Sequence, residues 1–190
     1  MHITSGCKML ASREFMTRHN HLLKILMVAW CKENELMERD QPWYRIKWEQ
    51  GAVLENEHVK MSWDFEYNMR KESTATRPDV TIEYKERKVI HLVDMICPSE
   101  KNVLEKNKEK RQKYQQLTFE VKEIQPGYRV EVIPIVIGCM GGGVGVMREV
   151  VRKILINSVT DKVCREMLRT AVIGSESILR KVITIIVTED

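Results

Sequence analysis

No C-x-x-C pair occurs in the 190 residues, and the five cysteines (Cys7, Cys31, Cys97, Cys139, Cys164) are odd in number and widely dispersed. That argues against the disulfide framework of a small secreted domain and fits a reducing compartment. No apolar run approaches the roughly 18 residues needed to cross a bilayer, so no membrane partner is expected. The first residues, M-H-I-T-S-G-C-K, lack a hydrophobic signal core, and a nuclear or cytoplasmic location is the resulting expectation. An excess of one charge is also missing: 31 basic residues face 27 acidic ones, a formal net charge of +4. A surface for nucleic acid must therefore be local, and Lys101–Lys113 is the densest basic stretch. What is present, 43% hydrophobic and 31% charged residues, suits one globular domain with a real core.

The most informative stretch runs from Arg77 to Tyr114. Two apolar arms, Val80–Tyr84 and Val89–Ile96, flank the charged tip Lys85–Lys88, the pattern of a β-hairpin. Asp79 opens the first arm directly after Pro78. Asp94 stands among Val93, Met95 and Ile96, where a lone carboxylate is costly to bury. Two carboxylates carried to one end of a sheet are the minimal cradle for a hard cation such as Mg2+. The helix that follows, projected at about 100° per residue, places Val103, Lys106, Lys110, Lys113, Tyr114, Leu117, Val121 and Ile124 on one face. Its second half offers an ordinary apolar stripe, whereas its first half aims three lysines the same way. Ammonium groups turned toward a sheet need an anion to meet them. Asp79 and Asp94 supply it, with a phosphate as a third party.

The remaining pattern is simpler. Phe15, His19, Leu22, Leu23, Leu26, Ala29 and Trp30 recur at helical spacing and predict a helix over 13–35. Glu33 shares that face and is an accessory metal-ligand candidate. Trp43, Tyr44 and Trp48 stand among charges between Asn34 and Asn56, as a core edge or a platform for stacking bases. Val59–Tyr67 alternates with period two, which predicts a half-buried strand with Asp64 and Glu66 outward. A polar loop over 68–76 carries Arg70 and Lys71, with Arg77 just beyond, placed to touch a phosphate backbone. Arg129–Ile137 is a fourth strand, with Pro134 hinting at an edge or a bulge. The glycine run Gly138–Gly145 lacks the Lys-Ser/Thr that ends a nucleotide-binding loop, and reads as a structural turn before a helix. Residues 160–172 and 175–187 read as two helices broken at Gly174, the last apolar enough for self-association. The order is helix, three strands, helix, strand.

R-P-D, V-D-M-I-C-P, E-K-R-Q-K-Y-Q-Q-L and V-I-P-I-V-I-G, in that order, resemble the restriction-endonuclease-like domain at the C-terminus of non-LTR retrotransposon polyproteins. This is a branch of the PD-(D/E)xK nuclease superfamily. The resemblance spans about His2 to Leu155 and implies an α/β fold: an αβββαβ core with a mixed four-stranded sheet flanked by helices, here with extra C-terminal helices. The lysine two positions after the strand acid is replaced by Ile96. The family resembled has its lysine moved to the next helix, where Lys110 and Lys113 stand. His2 and Cys7 look like the second half of a CCHC zinc knuckle without its first pair. Two ligands do not complete a tetrahedral site, so zinc is not expected. The expected organisation is a truncated knuckle over 1–12, an endonuclease-like domain over 13–157 and a helical extension over 158–190. A fragment or degenerate copy of a longer element follows as an expectation.

The function so implied is Mg2+-dependent nicking of target DNA, with Mn2+ able to substitute, in a reaction whose 3′ end primes reverse transcription. Asp79, Asp94 and the carbonyl of Met95 would hold the metal, and Lys110 or Lys113 would act on the attacking water or the phosphorane charge. Arg18, His19, Arg70, Lys71, Arg77 and Lys106 would contact DNA. His19 also has a plainer reading as a packed, hydrogen-bonded histidine. Two rivals remain at this point: an inert DNA-binding relic of such an element, and an interaction scaffold built on the C-terminal helices.

Overall fold

The structure, a computed structural model, describes residues 13–69 and 75–188. His2, Cys7, Arg70 and Lys71, and with them the half-knuckle over 1–12, lie outside the described residues. The long helix α1 (Glu14–Glu33) buries Leu22, Leu23, Leu26, Met27 and Trp30. It ends where the amide of Asn34 bonds back to Trp30 O and Glu35 takes a positive φ of 57°, a common way to stop a helix.

Five strands follow in spatial order β1 (Val53–Glu55), β2 (Val59–Trp63), β3 (Val80–Tyr84), β4 (Val89–Ile96) and β5 (Arg129–Val136). The first three pairings are antiparallel and β4–β5 is parallel. A parallel neighbour requires a crossover, and the helices α2 (Val103–Lys113) and α3 (Gln115–Ile124) provide it. The chain closes with α4 (Val144–Val151) and α5 (Asn157–Thr188). Alternation sends Met61, Ile82, Val93, Met95, Ile133 and Ile135 to a face packed by α1, α4 and α5. Ile90, Leu92 and Val130 go to the opposite face, under Tyr114, Leu117 and Val121. Covered on both faces, β4 is buried at seven of its eight positions, which explains its nearly continuous apolar sequence.

The fold is thus α/β with a mixed sheet between helices, and several expectations need correction. The sheet has five strands rather than four. The short β1 hid in the mixed stretch before Asn56, because three residues with burial alternating weakly carry no period. β2 stops at Trp63 rather than at Tyr67: Asp64 turns to φ 50°, and its amide bonds Asp79 O at 2.8 Å. The helix expected to run unbroken through Tyr114 is two helices meeting there, and Ile124, projected inward, is exposed. The two C-terminal helices are one, continuous through Gly174. Glycine serves there for close approach, since a Cβ would lie 2.8 Å from Arg18 Cγ. Val163, Cys164, Met167 and Ala171 of α5 enter the same core as α1, so the first half of α5 shares the main hydrophobic cluster. Pro134 stands on the edge strand β5, where its missing N–H costs no ladder bond. No helix among the described residues is long and apolar enough to cross a membrane.

Candidate active site

The β3–β4 register sets the site. Val80 pairs with Val93 at the open end of the hairpin, and one step further Asp79 comes opposite Asp94. Adjacent chains at such an end are close enough to interact directly. The amide of Met95 donates to Asp79 Oδ2 at 2.6 Å. From α1, His19 Nε2 lies 3.0 Å from the same oxygen and 3.2 Å from Met95 O, while Nδ1 lies 3.0 Å from Asn20 Oδ1. Two acceptors at Nε2 require a proton there, and the Asn20 carbonyl suits a second on Nδ1. The imidazolium is the form this setting favours. Burial works against that charge, but the Asp79 hydrogen bond and charge outweigh it and push the His19 pKa up to about 9. Burial likewise opposes ionisation of Asp79, yet the His19 contact and the Met95 amide hold its carboxyl below the usual range.

Asp94 is shifted in the opposite direction. It is buried to 3% exposure, and burial together with the Asp79 charge raises its pKa despite Lys110 and Tyr114. Lys110 Nζ from α2 sits 2.5 Å from Asp94 Oδ2, and the Tyr114 hydroxyl lies 2.8 Å from Oδ1 and 3.0 Å from the Arg77 carbonyl. That hydroxyl has one proton to give, and burial with the neighbouring carboxylate keeps it on the phenol, whose pKa is pushed up. The break between α2 and α3 falls at the residue that reaches into the site.

Asp79, Asp94, Met95, Lys110 and His19 therefore converge. Lys113 comes close without touching a carboxylate: its Nζ donates to the Tyr114 hydroxyl at 3.1 Å and lies 4.7 Å above that ring. Lys106 pairs with Glu109 on the helix exterior at 2.5 Å. The Arg77 guanidinium is clamped by both oxygens of Asp64. Arg18 is a correction to the expected DNA contacts. It is buried, donating to Ser175 Oγ at 2.6 Å and Cys97 O at 3.2 Å, so it ties α5 to the end of β4 and offers nothing to a ligand outside. Glu33 is also remote, accepting from the Ile156 amide at 3.2 Å. Tyr114 was missed as a site residue. Its signal was an aromatic with a polar tip on the same helical face as three lysines.

The glycine run is accounted for by an internal anion. Glu100 Oε1 accepts from the Met140 amide at 2.6 Å and the Gly142 amide at 3.2 Å. A Cβ at Gly138 would lie 2.5 Å from that oxygen. These contacts hold the Glu100 pKa down although burial opposes it. The Met140 and Gly142 amides are thereby satisfied within the fold. Replacing Glu100 by alanine is expected to destabilise the protein by about 1–3 kcal/mol, the cost of orphaned amides. Urea unfolding checks it, and Glu100→Gln, which keeps one acceptor, should lose less.

Among the described residues no group of three or more His, Cys, Asp or Glu side chains converges to hold a metal. The available set is two carboxylates and a main-chain carbonyl, suited to a hard cation that keeps several waters. Comparison of the chain with family models and with curated proteins finds no match.

Proposed function

We propose that this chain is a metal-dependent DNA endonuclease domain that nicks its target, of the kind carried at the C-terminus of non-LTR retrotransposon polyproteins. One observation carries the reading: carboxylates from two neighbouring strands meet an ammonium from the succeeding helix at one end of the sheet. The donor set fits Mg2+ or Mn2+. Asp79 Oδ2 and Met95 O already share one positive group, the His19 ring at 3.0 and 3.2 Å, so these oxygens are arranged around a cation. Asp79, Asp94 and the Met95 carbonyl would hold the metal, which when bound polarises a phosphoryl oxygen and acidifies a coordinated water.

The rest is done by the chain itself. Tyr114 fixes the rotamer of Asp94, and Lys113 holds Tyr114. Lys110 supplies the positive charge that offsets an oxyanion on phosphorus. Its replacement by methionine keeps the stem and removes the charge. Nicking should fall about 10²-fold, while DNA affinity, measured without metal, should change little. Arg77 and Lys106 are the candidates to meet the phosphate backbone, each by leaving its acidic neighbour.

The decisive test is conversion of supercoiled plasmid to nicked circle in Mg2+, with wild type beside Asp79→Ala and Asp94→Ala. Activity in wild type alone supports the assignment, and equal activity in all three would remove it. Salt-dependent DNA binding with no cleavage in any would leave the inert-relic reading.

A further inference from the structure

A second feature lies at the other end of the sheet, beyond Tyr84 and Arg129. An open groove of about 1350 Å³ runs between α1, the 39–44 turn, the end of α4 and the start of α5. Its lining cations outnumber its acids seven to four. The acids are largely engaged: Glu131 with Arg129 at 3.1 Å, Glu166 with the Trp43 indole at 2.5 Å, and Glu33 with the Ile156 amide. Lys32, Arg39, Arg87, Lys153 and Lys162 make no ion pair among the described residues. Aromatic surface borders them. Tyr44 is 68% exposed, Trp43 lies edge-on to it at 5.8 Å, and Arg87 sits 5.2 Å above the Tyr84 ring.

A buried histidine, His91 on β4, also lines the groove. It is 4% exposed, and its Nδ1 is buried without a hydrogen-bond partner. The Glu131 carboxylate, 3.7 Å from Nε2, is beyond hydrogen-bond distance. Unpaired cations alone suit any anion. Cations interleaved with an exposed tyrosine and a half-buried tryptophan suit a polyanion carrying flat bases.

We propose that this groove binds single-stranded nucleic acid, seating phosphates on Arg87, Lys153 and Lys162 and stacking bases on Tyr44 and Trp43. The volume, about 1350 Å³, exceeds what a small ligand needs, about 300–1,000 Å³. Double helix is disfavoured, because its bases are already stacked on one another and cannot use the aromatic pair. The proposal does not rest on the endonuclease reading: it concerns the opposite end of the sheet and requires no metal.

The test is fluorescence anisotropy of labelled oligothymidylate and oligouridylate with the full chain in EDTA, so that cleavage cannot intervene. Lys153→Glu/Lys162→Glu should weaken both by more than about tenfold and reduce the salt slope by about 1.4, two single-strand phosphate contacts. Tyr44→Ala should cost about five- to tenfold by lost stacking. Binding should quench tryptophan fluorescence in wild type and not in Trp43→Phe, which places the strand in the groove. A preference for oligouridylate would identify RNA as the occupant. Undiminished affinity in the double variant, quenching that survives Trp43→Phe, or equal competition by oligoglutamate would each overturn the proposal, the last in favour of an acidic peptide. All four substitutions lie on the groove wall, and thermal melts would verify that the variants fold.

Discussion

Asp94→Asn is expected to reduce Mg2+-dependent nicking by about 10³-fold or more, while leaving the metal-free protein as stable as wild type or more so. The two effects have opposite signs for one reason. Asp94 is buried beside Asp79, and its raised pKa means that burial and repulsion together exceed what Lys110 and Tyr114 return. An amide of the same shape removes the repulsion and still accepts the Tyr114 hydrogen bond. Lys110, 18% exposed at the side chain, has a short path to water and need not stay opposed to the new amide. The amide nitrogen cannot ligate a cation and the remaining amide oxygen is neutral and held by Tyr114, so the donor set loses one negative charge and one oxygen. The measurement is paired: nicking rate and thermal midpoint on the same preparations, in EDTA and in Mg2+. Added Mg2+ should raise the midpoint of wild type and not of Asp94→Asn, because only a state that binds the ion is stabilised by it. Full activity in the variant would end the proposed role of Asp94. A loss of activity accompanied by a large fall in midpoint would show instead that Asp94 is needed for folding.

The hairpin and its acids were the most legible part of the sequence, for a geometric reason. Asp79 and Asp94 each stand six residues from the Lys85–Lys88 tip, so any regular hairpin closed by that tip brings them opposite one another. Lys110 was also readable from its helix face, although of the three lysines read as inward it alone meets a carboxylate of the site. What could not be read were features set by contacts between distant segments. The three residues of β1 gain strand identity only from β2 beside them. Gly174 looked like a breaker because local propensity disfavours glycine in a helix. The helix continues through it, and glycine stands there because Arg18 of α1 fills the space a side chain would need. Arg18 itself was a DNA contact only by the resemblance and is buried by that same packing. His91 gave no signal at all: on β4 it passes for one more inward position, and only the groove beneath it shows its ring nitrogen unpaired.

His19, half-buried, and His91, buried, are expected to tilt stability in opposite directions with pH. His19 has its folded pKa raised from 6.5 to about 9. The protonated ring binds Asp79 and Met95 in the native state only, so its contribution is fully present below pH 6.5 and is lost as the pH rises from 6.5 through about 9. His91 has its folded pKa lowered from 6.5 to about 4, because burial, reinforced by Arg87, Arg129 and Lys153, disfavours its charge more than Glu131 favours it. Its contribution is present above pH 6.5 and is lost as the pH falls from 6.5 through about 4. Each shift corresponds to about 3 kcal/mol at full extent, a large part of the stability of a domain this size. Urea midpoints of the metal-free protein across pH 4–9.5 should trace a dome with both limbs falling. His19→Gln should flatten the alkaline limb and leave the acid one. His91→Gln should flatten the acid limb and leave the alkaline one, whatever either substitution does to stability at the top. An alkaline limb that persists in His19→Gln would mean that the ring next to Asp79 is neutral in the native protein, and the charge balance described for the carboxylate pair would then have to be redrawn with Lys110 as its sole cation.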